Sequence, residues 1–147
     1  IGIVENISSL CFTHSNLLLV EMPMAKWSDY AVHEIMELAC LPKTKVMLAH
    51  VERYRSFQNN QVWQQLLEND ILMQVNASHF LRFTTKRKAL LQLQNQEIHF
   101  LGSDCHDLKV RPPKIGDAYA VVEQKLGTDF LSSWTAFCNS FFNNPIE

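Results

Sequence analysis

The sequence predicts an α/β fold built on a parallel sheet, and three observations carry that prediction. Short runs of continuous apolar residues alternate with stretches whose apolar positions recur every three to four residues. Strand and helix alternating at that spacing mean right-handed βαβ units. Each predicted strand also ends in a polar side chain: Glu21, His50, Asn76 and Asp104. Parallel α/β folds carry their sites at the carboxyl ends of strands, so these four side chains are expected on one rim.

Residues 1–15 have no clean period and receive no element. Leu17-Leu18-Leu19-Val20 is a continuous apolar run, closed by Glu21 and stopped by Pro23, which suits a strand buried on both faces. Ser28 is the N-cap of a helix reaching about Cys40, with Ala31, Val32, Ile35, Met36 and Ala39 on one face. Thr44–Ala49 is the next strand; it delivers His50 and then the loop Val51-Glu52-Arg53-Tyr54. A helix near Asn60–Glu68 groups Val62, Trp63, Leu66 and Leu67, and a third strand, Ile71–Val75, ends in Asn76-Ala77-Ser78. A basic helix near Thr84–Gln94 turns Ala89, Leu90 and Leu93 inward, and a fourth strand, Ile98–Leu101, reaches Gly102. A helix through Ile115, Ala118, Tyr119, Val122 and Leu126 ends at Gly127. The last helix has the strongest signal, with Phe130, Trp134, Phe137 and Phe141 at helical spacing before Asn143-Asn144-Pro145.

The composition bounds the function. At 147 residues, with 47% hydrophobic and 19% charged side chains, the chain is one globular domain. A net charge of −2 and a pI near 6.3 give no electrostatic case for nucleic acid or an anionic membrane surface. No apolar run approaches the roughly 20 residues that span a bilayer, and the N-terminus lacks a signal-peptide core. The chain does not begin with Met, which predicts residues upstream of Ile1. Cys11, Cys40, Cys105 and Cys138 form no Cys-x-x-Cys pair, so reduced thiols in a cytoplasmic protein are expected. Cys105, between Asp104 and His106, is expected to pack away from both.

The chemistry concentrates in Gly102-Ser103-Asp104-Cys105-His106, followed by Arg111-Pro112-Pro113. In an extended strand end, Asp104 and His106 face the same side. Glu21, His50, Asp104 and His106 then form a mixed nitrogen–oxygen set that suits Mn²⁺, Zn²⁺ or Fe²⁺ better than Ca²⁺ or Mg²⁺. Arg53 and Arg111 offer planar forks for a phosphate. Paired metals grip both oxygens of a displacement at phosphorus, and water held by them, its pKa pulled towards about 7, is a nucleophile. Taken singly, Glu21 reads as a turn residue, His50 as a core histidine and Asp104 as a helix cap; their conjunction with two arginines points to a site. His14, His33 on a helix's polar face, His79 in a loop and His99 in a strand read as structural, Glu34 and Glu37 as solvated, and the final Phe/Trp stripe as core.

These residues carry a resemblance. Leu48-Ala49-His50-Val51-Glu52-Arg53-Tyr54, Gln74-Val75-Asn76-Ala77-Ser78-His79 and Ser103-Asp104-x-His106 with Arg111-Pro112-Pro113 resemble the polymerase-and-histidinol-phosphatase (PHP) superfamily. The branch is the manganese-dependent bacterial protein-tyrosine phosphatases of capsular and exopolysaccharide operons. The resemblance implies a distorted (β/α)7 barrel holding two to three Mn²⁺ ions (or Fe²⁺, Zn²⁺ or Co²⁺). Glu21, His50, Asp104 and His106 match its metal ligands, and Arg53 and Arg111 its catalytic, phosphate-binding positions. It implies hydrolysis of phosphotyrosine on a protein, the tail of a bacterial tyrosine kinase, in the cytoplasm, without nucleic acid or membrane insertion; an oligomer is compatible with it. The family pattern opens with a His-x-His strand and an Asp-Asp-Gly-Pro loop that this sequence does not contain. The resemblance therefore implies a single domain, residues 1–147, forming the C-terminal part of a PHP-type barrel without its N-terminal strands. The chain alone is expected to be weakly active or inactive. The alternatives are another PHP phosphoesterase, of the histidinol phosphatase kind, and a non-catalytic truncated remnant or interaction module.

Overall fold

In the computed structural model, which describes residues 7–107, 109 and 112–142, the four apolar runs become the strands of one sheet. They are β1 (Leu17–Val20), β2 (Lys45–Leu48), β3 (Leu72–Asn76) and β4 (Phe100–Gly102). All neighbours pair in parallel, in the order β1-β2-β3-β4. Leu18 pairs with Val46, Leu48 with Met73, and Val75 with Leu101. Strand order therefore follows chain order without reversal. A doubly wound sheet reverses at a switch point, whereas a barrel adds each strand beside the last. The four strands are an open arc wound in the barrel sense.

Between the strands run α1 (Asp29–Ala39), α2 (Asn60–Glu68), the single turn α3 (Ser78–Leu81) and α4 (Phe83–Gln94); α5 (Ile115–Leu126) and α6 (Thr128–Ser140) follow. Local chemistry sets their starts. Ser28 Oγ accepts the Ala31 N–H at 3.2 Å, and Asn59 Oδ1 accepts the Val62 N–H at 2.8 Å, each satisfying a donor that the first helical turn leaves over. Right-handed crossovers put the connecting helices on one face of the sheet. Val32, Ile35, Trp63, Leu66, Leu90 and Leu93 there join Val46, Leu48, Met73 and Val75 in one core.

The opposite face follows the strand period of two. Leu19 and Glu21, Met47 and Ala49, Gln74 and Asn76, and Phe100 and Gly102 all line one cavity of ≈ 560 Å³. Phe12 and Phe142, whose rings meet edge-on at 6.0 Å, also line it, with Tyr119 from α5 and Cys138 from α6. α6 is tied to the sheet by Trp134 Nε1, which donates to the His99 carbonyl at 2.8 Å.

Three expectations need correction. His79 lies on the α3 turn rather than in a loop; four residues are too few to show a helical period. Cys105 is exposed, because the chain turns at Asp104 instead of continuing as a strand. Of the final aromatic stripe, Trp134 is buried and Phe130 and Phe141 are partly so, but Phe137 keeps 40% of its surface in solvent. No helix among the described residues is long and apolar enough to cross a membrane.

A candidate metal and phosphate site

Glu21, His50, Arg53, Asp104 and His106 all line the cavity on the inner face of the sheet. They come from the ends of β1, β2 and β4, as the strand-end pattern predicts. Arg111, the sixth predicted residue, lies outside the described residues. The five fall into two groups. His50 Nε2 stands 3.1 Å from Glu21 Oε1. The Asp104 carboxylate bonds the Arg53 guanidinium, receives Asn76 Nδ2 at 3.5 Å, and lies 3.7 Å from His106 Nδ1.

Backbone conformation aims both groups. His50 has φ 35° and Asp104 φ 48°, left-handed values that cost a residue with a Cβ about 1–2 kcal/mol. At His50 this turn follows Ala49, the inward-facing residue just past β2, and brings the next side chain onto the same rim. At Asp104 it overturns the extended geometry expected from Asp-x-His. His106 instead folds back until Nδ1 lies 2.9 Å from the Asp104 carbonyl oxygen. The two side chains still meet, through a tight turn rather than through strand alternation.

Polar partners fix His50, whose residue is only 7% exposed. Its backbone N–H donates to Gln74 Oε1 at 2.6 Å. Gln74 lies across Gly102, where an added Cβ would fall 1.6 Å from Gln74 Nε2, so the glycine makes room for that amide. Tyr54, wholly buried, donates its hydroxyl to the Ala49 carbonyl at 2.6 Å and meets the His50 ring edge-on at 6.1 Å. Burial, then Glu52 and Glu21, push the Tyr54 phenol far above the ordinary tyrosine range. The Glu52 carboxyl is also raised, mainly by burial, although its Oε2 accepts the Asn76 N–H at 3.3 Å. Gln74, Tyr54, Asn76 and Glu52 are thus supporting residues that motif reasoning did not select. Gln74 did give a signal: a lone amide inside the apolar run 71–75 marks a buried polar group with a specific partner.

The donor chemistry suits a divalent metal in part. A neutral His50 that donates from Nε2 to Glu21 leaves a bare lone pair on Nδ1. Nδ1 is buried and has no hydrogen-bond partner among the described residues, and the same holds for Asn76 Oδ1. Two such orphaned acceptors on one rim suit a cation. Yet no three His, Cys, Asp or Glu side chains among the described residues converge as one metal cluster. The described rim therefore offers two-donor sectors, fewer than the three or more ligands that hold a transition metal.

Cys138 lines the same cavity, and burial pushes its thiol up to about 11. A thiol so raised is essentially all protonated at neutral pH and is no nucleophile.

Known proteins are similar to this chain in sequence and fold. A tyrosine-protein phosphatase CpsB of Streptococcus agalactiae serotype III (strain NEM316) is 29% identical, with 79% of this chain and 51% of that protein covered. CpsB of Streptococcus pneumoniae is 29% identical over 55% of this chain and 37% of that protein. The chain thus spans about half the length of the curated relatives it matches first. A solved structure from work on YwqE of Bacillus subtilis and CpsB of Streptococcus pneumoniae, described as metal-dependent tyrosine phosphatases, superposes with a TM-score of 0.76. It is 22% identical and covers 94% of this chain and 61% of that one, a likeness of fold. The family model for capsular polysaccharide synthesis, CpsB/CapC, matches residues 3–141. With nearly its whole length under that model, the chain belongs to the CpsB/CapC family.

Proposed function

We propose that this chain is the C-terminal part of a metal-dependent protein-tyrosine phosphatase that removes phosphate from tyrosine on a protein and so regulates capsule or exopolysaccharide synthesis. One observation carries the reading: the five described residues that match the phosphatase motifs line a single cavity on the carboxyl rim of a parallel sheet. The names of the CpsB relatives support it. The relatives are about twice as long as the matched region, which supports the reading of residues 1–147 as one part of a larger barrel.

Glu21, His50, Asp104 and His106 are the proposed metal donors; their mixed nitrogen–oxygen character suits Mn²⁺, Zn²⁺ or Fe²⁺, and the family resemblance selects Mn²⁺ among them. A bound divalent metal would acidify a water and neutralise phosphoryl oxygens. The residues of the chain do the rest. Gln74, which accepts the His50 backbone N–H, and Glu21, 3.1 Å from His50 Nε2, hold His50 in one orientation. Arg53, planar and permanently charged, turns its fork from Asp104 towards a phosphoryl group and binds it bidentately, with Arg111 as its proposed counterpart. The leaving phenolate has an ordinary pKa near 10, so it departs more readily than an aliphatic alkoxide. The proposed substrate protein is the tail of a bacterial tyrosine kinase in the cytoplasm; oligomerisation is compatible with this reading.

The test is a substrate panel, with Mn²⁺ supplied, on the protein that carries this chain. Phosphotyrosine peptide should be turned over in preference to histidinol phosphate and to nucleoside monophosphates. A preference for either small phosphate would assign the site to a different phosphoesterase.

A further inference from the structure

A second cavity, of ≈ 550 Å³, opens beside the first and shares Arg53, Asn76 and Asp104 with it. Its lining is polar, with the three cations Arg53, Arg82 and Lys114 against the two carboxylates Glu52 and Asp104. Arg82, at the α3–α4 junction, and Lys114, just before α5, bring permanent positive charges from separate stretches of chain. Ser78 and Ser103 add hydroxyls. Its two carboxylates have partners of their own: Asp104 bonds Arg53 and is a proposed metal donor, and Glu52 accepts the Asn76 N–H. His79 in the same wall is held below the usual histidine range, first by burial and then by Lys88 and Arg82. Neither Arg82 nor Lys114 belongs to the sequence motifs, and the mechanism above uses neither.

We propose that this second cavity is a specificity subsite, in which Arg82 and Lys114 hold a second anionic group of the substrate peptide, carboxylate or phosphoryl, while Arg53 holds the phosphotyrosine. The proposal rests on the phosphotyrosine reading. The shared wall of Arg53, Asn76 and Asp104 places the two anions side by side. An extended peptide advances about 3.3 Å per residue and turns every second side chain to the same face. A group two residues from the phosphotyrosine therefore lies roughly 7 Å along the strand, on the side facing the rim. Arg82 and Lys114 are exposed, so a neutral neighbour leaves them solvated at little cost. The subsite then acts by rewarding a second anion rather than by excluding neutral sequences.

The test is equilibrium binding of labelled phosphotyrosine peptides to the full 147-residue chain, with Mn²⁺ in the buffer. Four peptides share one sequence: Gln, Glu or phosphoserine stands two residues from the phosphotyrosine, or Glu stands six residues away. Wild type should bind the near-Glu and near-phosphoserine peptides about tenfold more tightly than the Gln peptide. The larger of the two gains identifies the natural anion. The double variant Arg82→Gln, Lys114→Gln should lose that gain and bind the Gln peptide as wild type does. An equal gain from the distant Glu, a gain that survives in the double variant, or loss of affinity for the Gln peptide as well would each overturn the subsite and leave the phosphatase reading intact. Failure of folded wild type to bind any phosphotyrosine peptide would also overturn the subsite, whereas the phosphatase reading stands or falls with the substrate panel on the protein that carries this chain.

Discussion

Gly102 shows how closely the rim is built at the scale of single residues. Its missing Cβ leaves room for Gln74, whose Oε1 holds the His50 N–H. Gly102→Ala should push that amide aside at a cost of about 1–3 kcal/mol, and metal affinity should fall with it. A chemical melt together with a Mn²⁺ titration checks both effects; an unchanged affinity would separate Gln74 from the site. His99 sets a pH dependence. Burial holds its imidazole below the ordinary range, and Nδ1 accepts the Met73 N–H at 3.1 Å. The unfolded chain takes up a proton near the ordinary value of about 6.5, before the folded chain does. Stability is therefore present above about pH 6.5 and is lost as pH falls from there towards the folded pKa. The urea midpoint should drop between pH 7.5 and 5.5, and a flat or rising midpoint would contradict this. Residue types with chemical meaning were readable in the sequence. Glu21, His50, Arg53, Asp104 and His106 could be named because few side chains bind metal or phosphate. The supporting residues were harder, because Gln74 and Tyr54 act through buried hydrogen bonds whose partners lie 24 and 5 positions away.

Strands and helices were legible to the extent that their periods had room to repeat. The four apolar runs became β1 to β4, and α2, α4, α5 and α6 lie where the apolar spacing predicts them. Ser28 starts α1 as expected, and Ser28→Ala should cost about 1 kcal/mol, read from the shift in the denaturant midpoint. What failed was short or left-handed. The single turn α3 is too brief to print a pattern, and the positive φ of Asp104 cannot be deduced from Asp-x-His. Asp adopts that conformation more readily than most residues, so the sequence allows the turn without announcing it. The aromatic stripe of α6 also misled in part. Phe137 packs against His99 and Phe100 with ring centroids 6.2 Å away in each case, yet stays 40% exposed.

Over the whole molecule, sheet order decides between α/β architectures, and the unreversed order β1-β2-β3-β4 is that of a barrel arc. The arc is open, and Leu19, on its inner face, keeps 44% of its surface exposed. Two-donor sectors on an open rim should make the isolated 147-residue chain a weak metal binder. It should turn over p-nitrophenyl phosphate poorly or not at all with Mn²⁺; robust turnover would show that this rim suffices alone. The central claim, that the rim around His50 is a phosphatase metal site, has one direct measurement. It is bound Mn²⁺ together with phosphotyrosine hydrolysis, compared between the protein that carries this chain and its His50→Ala variant. The account predicts that both fall together, by at least about 100-fold in turnover. Metal content and turnover that survive the substitution unchanged would contradict it.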